Sequence, residues 1–440
     1  MGPPRYAVDS TTTDETASGY QSTTAAVSSW ALLAPFVPTV VLVMAAAWIG
    51  RRLWFFSDDW NILAGYHSGN LTEAFNGHLT LVPAGIYQLL FHTAGVESYL
   101  PYRLAGLLSL VVLGFQVARW TMSWVGPVLA TLAVTAVMWN SSGASNVMFP
   151  FLMNFSLPIA ALLAIWWHLD RLRTKRDEPT GSGADPASRA DLVAIALWMS
   201  LALATSGLGV MTAAAVAVEL LLRRAPVRQW IAWGAPTLLW AIWWVGHRDA
   251  NEISTDMAAV VPYALRMLLA GATAVAAGWK PLGVMLAAAL VAGVVAVTIR
   301  RRSIDPRVAG ALFAALAFAT LTSLTRQDTV VPIPPDELRY GWTVGAYLVL
   351  AAVALAGATR GAGDSGRRSD QDGTARPMAA RASLDDFRTR ISSPAIVTVA
   401  AVLLAAGAIR LTDGMRLGHP GGRCSTGTSL EHLRRGGSRP

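Results

Sequence analysis

Apolar residues in this chain come in long unbroken stretches separated by short polar ones, with neither the period-2 alternation of a half-buried strand nor the narrow stripe of a surface helix. The first stretch runs from Trp30 to Ile49, 20 residues. As a helix it is roughly 30 Å long, one hydrocarbon thickness. Comparable stretches follow at 101–119, 125–139, 150–168, 190–206, 208–222, 229–246, 281–299, 307–324, 341–359 and 395–409. The pattern predicts an all-α, polytopic helical membrane protein with about 11 transmembrane helices. Leu79–Phe91 is too short for a clear span, contains Pro83 and Gln88 and is followed by His92. It suits an interfacial helix in the first outer loop. The stretch 259–278 is apolar but carries Arg266, and is read as lying along the membrane or crossing it.

Composition agrees: 53% of the 440 residues are hydrophobic, 14% are charged, and the mean hydropathy is +0.43. The net charge of +8 is almost entirely arginine, since Lys175 and Lys280 are the only lysines. No basic stripe with interleaved aromatics lies in a soluble segment, which excludes a nucleic-acid partner. The basic residues instead report topology. With Trp30 entering from the cytoplasm, the inner loops hold 20 basic residues and the outer loops 8, so Asp58 and Asp59 lie outside. Six arginines in the tail from Arg410 to Pro440 are awkward for its outer location. If Leu79–Phe91 crossed and the N-terminus lay outside, the later loops would keep their sides and the acidic pair would become cytoplasmic. The single cysteine, Cys424, excludes an internal disulfide and a thiolate metal cluster. Arginine over lysine and abundant alanine suggest a GC-rich source; the expected location is a cell membrane crossed several times, the bacterial plasma membrane.

Four regions emerge. Residues 1–29 form a Ser/Thr-rich tail, predicted disordered and lacking the basic start and compact apolar core of a signal peptide. Residues 30–360 form a transmembrane domain with an outer loop at 51–100. Residues 361–394 read as a flexible cytoplasmic linker, and 395–440 as a last transmembrane helix with a basic tail.

The candidate chemistry centres on Arg51-Arg52-Leu53-Trp54-Phe55-Phe56-Ser57-Asp58-Asp59-Trp60, where two adjacent carboxylates follow the first span amid interfacial aromatics. Such a pair suits binding a cation or taking a proton from a hydroxyl; a solvated acidic loop is the alternative. Arg339-Tyr340 opens the span 341–359, and Arg103 opens 101–119. Each has the fork that holds a phosphate, and each is also an ordinary interfacial arginine. His78 and Lys280 are two more polar residues of the outer loops, which also hold Glu73, Asn140, Asn146, Asn154, Arg266 and Arg326. Glu219 and Arg223 have i,i+4 spacing and read as an ion pair at a helix end. Ser206-Gly207-Leu208-Gly209 reads as a tight hairpin between two spans. Phosphate-loop, dinucleotide and HExxH patterns are absent.

This layout resembles the GT-C superfamily of integral-membrane glycosyltransferases over roughly residues 30–360. The resemblance rests on the first span leading into a long outer loop that opens with Phe56-Ser57-Asp58-Asp59-Trp60. It rests also on the Pro101-Tyr102-Arg103 entry to the next span, on Ser206-Gly207-Leu208-Gly209 before a span ending in Arg223-Arg224, and on the late Arg339-Tyr340 pair. It implies a polyprenyl-phosphate sugar donor, an outward-facing site and transfer to a glycan, lipid or protein acceptor. Asp58 or Asp59 would be catalytic. Substrate would be held by His78, Arg103, Lys280, Arg339 and Tyr340, and a divalent cation could sit at Asp58/Asp59 without an identifiable third ligand. Larger members carry a sizeable soluble C-terminal domain that is missing here. A multi-span transporter or lipid flippase is the competing reading, for which broken helices, midplane ionisable residues or repeated halves are the expected signs.

Overall fold

Pro35 and Pro38 lie in the opening turns of the first helical segment, where a missing N–H costs nothing. A 3-10 turn (Ala34–Phe36) leads into α1 (Val37–Ile49) and a second 3-10 turn (Gly50–Arg52). The computed structural model describes residues 32–56, 58–65, 70–177, 186–247, 256–326, 333–370, 405–413 and 415. The expected N-terminal tail, most of the linker 361–394, the first part of the span 395–409 and the basic tail lie outside the described residues.

After α1 the chain forms α2 (Asp58–Gly65) and a two-stranded antiparallel ribbon, β1 (Ala74–Phe75) against β2 (His78–Leu79). Asn76 and Gly77 both have positive φ (51° and 76°), as a two-residue type I′ hairpin requires. α3 (Leu81–Ala94) stops at Gly95, whose φ is 66°. α4 (Leu100–Met138) is broken at Gly126 (φ 75°, ψ 174°), a conformation essentially reserved for glycine, with Pro127 next. The chain therefore doubles back, as the separate stretches 101–119 and 125–139 predicted. Then come α5 (Ala144–Met148), a 3-10 turn (Pro150–Leu152), α6 (Met153–Asp177), α7 (Pro186–Thr205), α8 (Leu208–Leu222) and α9 (Val227–His247). The last four helices are α10 (Met257–Val275), α11 (Lys280–Arg301), α12 (Pro306–Arg326) and α13 (Leu338–Asp370). α13 continues ten residues into the stretch expected to be linker, and 405–413 is helical.

Among the described residues, eight helices are long and apolar enough to cross a membrane. The protein is a polytopic helical membrane protein. α6 is its central helix: Ile159 to Trp166 have no exposed surface, which fits a helix apolar all round. α11 lies at the edge with most of its side chains exposed, Val284, Met285, Val291, Val295 and Ile299 among them, and with Leu290 and Val294 packed against the core. In a bilayer that surface meets lipid.

Contacts separate the two ends of the bundle. At one end lie Asp58, the ribbon and the α7–α8 turn; His78 packs on Gly207 there. At the opposite end Arg307, wholly buried, forks onto Asp170 (Nη1 2.8 Å, Nη2 2.5 Å) and donates to the Trp166 carbonyl (2.8 Å) and to Glu219 (3.3 Å). Arg223 completes the expected pair with Glu219 at 2.9 Å, and the Trp124 ring covers the Arg307 guanidinium at 4.8 Å. The cluster joins α4, α6, α8 and α12.

These ends resolve both segments that the sequence left open. α3 begins beside His78, holds Asp59 through Tyr87, and ends where the Gly95 carbonyl accepts the Tyr102 hydroxyl. Both its ends are at the Asp58 end, so it does not cross, and the topology that moves the acidic pair is not the one formed. α10 has the length and composition of a span, yet Tyr263 near its start bonds the Ile333 carbonyl (2.6 Å), just ahead of α13. At its finish, Thr273 meets Gly283 in the first turn of α11. α11 then runs to the opposite end, where Arg301 donates to the Ala358 carbonyl. α10 begins and finishes at the Asp58 end and lies along it.

Candidate functional site

The adjacent aspartates have different fates. Asp59 is 1% exposed, and its carboxylate accepts from the Tyr87 hydroxyl (2.5 Å), the Tyr99 hydroxyl (2.7 Å) and the Phe56 N–H (3.0 Å). Burial pushes its pKa above the ordinary carboxylate value. The three hydrogen bonds pull the other way, and the Asp58 charge adds to the rise. Burial and the Asp59 charge also raise Tyr87 and Tyr99, so both phenols stay protonated and remain donors. Asp59 thus ties the start of α2 to α3 and to the loop before α4. Asp58, in the first turn of α2, is half-buried and makes no side-chain hydrogen bond or ion pair among the described residues. It is the carboxylate left for a ligand.

His78 stands on Gly207; a Cβ there would lie 2.8 Å from the imidazole. Protein crowds the ring although the residue retains solvent-exposed surface. Burial, then the charge of Arg326, hold its pKa down to about 4, so at neutral pH it is an uncharged donor and acceptor. Arg326 closes α12 at this end and also lies within electrostatic reach of the Tyr263 hydroxyl, as do Tyr340, Glu337 and Asp336. Arg339 stands 5.4 Å over the Tyr340 ring, and its Nε is buried with no hydrogen-bond partner. Tyr340 is buried edge-on against Phe318.

The expected residues therefore fall into three places. Asp58 and Asp59 form one group. His78 lies at the same end of the bundle as the Arg339–Tyr340 pair, linked to it through Arg326 and Tyr263 without direct contact. Arg103 and Lys280 join neither. Arg103 is 4% exposed and donates to the carbonyls of Met148 (3.3 Å) and Ala46, stitching α1 to α4 and α5. Lys280 is exposed at the start of α11. The two groups are bridged by the segment after α5: Phe149 stacks on Phe56 at 5.4 Å and Phe151 meets Phe75 edge-on at 5.4 Å. Arg326 is an outer-loop cation to which the sequence pattern assigns no role. It ends its span as Arg339 opens another, so position alone could not rank them. Only the partners that α12 brings to it do so.

Among the described residues no three His, Cys, Asp or Glu side chains gather closely enough to hold a metal ion. Asp59 has already spent both oxygens on hydroxyl and amide donors. The pair does not fit a chelated divalent ion, and no step below runs through one.

No known family model matches the chain, and no curated protein matches it. Two solved structures of ArnT from Cupriavidus metallidurans resemble it, each with a TM-score of 0.48. The apo form is 14% identical and covers 88% of this chain and 76% of its own. The form bound to undecaprenyl phosphate is 16% identical and covers 89% and 76%. Likeness at this level decides neither family nor activity.

Proposed function

We propose that the protein is a GT-C-type membrane glycosyltransferase moving a sugar from a polyprenyl-phosphate donor to an acceptor hydroxyl at the outer membrane face. The observation that carries the reading is Asp58. It is a carboxylate with no partner among the described residues, held by a sequestered neighbour at the end of an apolar bundle that also carries Arg326, Arg339 and His78. A polyprenyl chain needs an apolar surround, and a sugar phosphodiester needs its leaving group neutralised.

In this reading the acceptor hydroxyl gives its proton to Asp58 as its oxygen bonds to the anomeric carbon. The bond from that carbon to the phosphate oxygen breaks, and the electron pair leaves with the polyprenyl phosphate. Arg326 and Arg339 balance the phosphate charge, and neutral His78 donates a hydrogen bond to it. Arg103, bound to two backbone carbonyls, positions helices instead.

The test uses the full-length protein purified in detergent, a polyprenyl-phosphoryl sugar and a hydroxyl acceptor, with release of polyprenyl phosphate as readout. Transfer lost in Asp58→Asn with the protein still folded supports the reading. Transfer unaffected by Asp58→Asn removes it and points to a transporter.

A further inference from the structure

Arg119 of α4 is a guanidinium without an acid. It is half-buried at the end of the bundle opposite Asp58, and among the described residues it makes no hydrogen bond or ion pair; its Nε is buried and unpartnered. Its neighbours are aromatic. It stands 4.1 Å from the centre of the Trp167 ring and 5.7 Å from that of Phe115. Arg171, whose side chain is exposed, stands 4.6 Å from the same indole, and the two arginines lie within electrostatic reach of each other. Stacking on a ring leaves the in-plane N–H groups of a guanidinium free to donate.

The acids described at this end are engaged elsewhere. Asp170 and Glu219 hold Arg307, and Glu219 also holds Arg223. Asp191, 3% exposed, meets His168 at 2.8 Å and the Arg171 Nε at 3.3 Å. Asp305 accepts the backbone N–H groups of Arg307 and Val308. No carboxylate is left for Arg119, and two like charges share one indole. An anion bridging them would relieve that repulsion and give their free N–H groups acceptors.

The surface that leads to Arg119 says what carries the anion. Leu108, Val111 and Phe115 precede it at helical spacing on one face of α4, and they are 62%, 41% and 47% exposed. Leu108 lies roughly 17 Å from Arg119 along the helix axis, about one leaflet of a 30 Å hydrocarbon core. Phe36, before α1, stacks on Phe115 at 5.9 Å and borders the stripe on one side. An acyl chain lying on this stripe would bring its headgroup to Arg119. The phosphate of that headgroup would find two guanidinium groups, whereas a headgroup ammonium would find no unpaired acid.

We propose that Arg119, Arg171 and Trp167 form a binding site for the phosphate of an anionic phospholipid in the leaflet opposite Asp58. The site stands whether or not the protein transfers a sugar, so its test is binding. The full-length protein in detergent is titrated with phosphatidylglycerol and with phosphatidylethanolamine, and bound lipid is counted by native mass spectrometry. Phosphatidylglycerol should bind roughly tenfold tighter. Arg119→Gln should remove most of that preference and leave phosphatidylethanolamine binding unchanged. Its melting temperature in lipid-free detergent should hold, because no partner is stranded. Arg119→Lys keeps the charge without the fork and should fall between the two. Arg300→Gln, exposed in the last turn of α11, should change nothing. Equal affinity of the wild type for both lipids would overturn the inference. Equal weakening by Arg119→Gln and Arg300→Gln would too, since it would mean diffuse surface charge alone. Should Arg119→Gln not fold, Arg119→Lys decides: an unaltered preference would overturn the bidentate contact. Displacement of phosphatidylglycerol by inorganic phosphate, but not by chloride at matched ionic strength, would mean a site for free phosphate and overturn the lipid assignment.

Discussion

Asp58 and Asp59 are the same residue in the same turn, and what separates them is who reaches them. Tyr87 and Tyr99 arrive 28 and 40 residues later in the chain and take Asp59. Asp58→Asn should therefore leave thermal stability unchanged while lowering transfer by about 10²–10⁴-fold, the usual worth of a general base. Asp59→Ala should do the reverse first. It strands two buried phenols and should cost on the order of 2–4 kcal/mol, visible as early unfolding in detergent. His78 gives a pH signature. Its pKa falls from 6.5 to about 4 on folding. Between those values the unfolded chain holds the proton and the folded one does not, so stability is complete above about 6.5 and declines as pH falls toward 4. Subtracting the His78→Gln profile should isolate that slope, separately from Asp59, whose raised pKa acts with the opposite sign. A phosphate bound against Arg326 would offset the charge that depresses His78, so donor binding near pH 5 should take up protons, as calorimetry in buffers of different ionisation heat would detect.

At the scale of elements, the junctions that depend on glycine and on turn residues were legible. Asn76-Gly77 makes the hairpin, and Ser206-Gly207-Leu208-Gly209 makes the tight turn between α7 and α8. A Cβ on Gly209 would lie 2.2 Å from the Ala202 carbonyl oxygen, so this turn brings the two helices together at contact distance. The Glu219–Arg223 pair was legible from i,i+4 spacing. Its third member was not: Arg307 reads along the chain as one more arginine of a basic loop, yet it has no exposed surface. Arg307→Ala should destabilise the bundle by about 3–5 kcal/mol, since it leaves Glu219 buried with Arg223 as its one remaining cation. The double variant Arg307→Met/Glu219→Leu should unfold at a higher temperature than Arg307→Ala, because both buried charges are then gone. A double variant no more stable than the single one would show that packing around Trp124 and Trp166, not charge, governs this end.

For the whole molecule the main question is sidedness. The asymmetry of 20 inner against 8 outer basic residues predicts that the Asp58 end faces outside. Thr72→Cys lies in an exposed loop there, where its carbonyl accepts the Trp243 indole N–H, and Thr174→Cys lies exposed near the opposite end of α6. An impermeant maleimide should label the first in intact cells and the second only after permeabilisation. The reverse pattern would move the site to the cytoplasm and remove the lipid-donor reading. The sequence by itself determined the class, the position of most helices and the arrival of an acidic pair at a membrane surface, because continuous apolar runs and charge bias act locally and need no partner. Tertiary structure decided which aspartate is free among the described residues, that Arg103 serves carbonyls while Arg326 lies within electrostatic reach of His78, and that α3 and α10 lie at one end without crossing. The physical reason is common to all of these. Burial, pairing and depth are properties of what packs alongside, and those neighbours come from tens to hundreds of residues away.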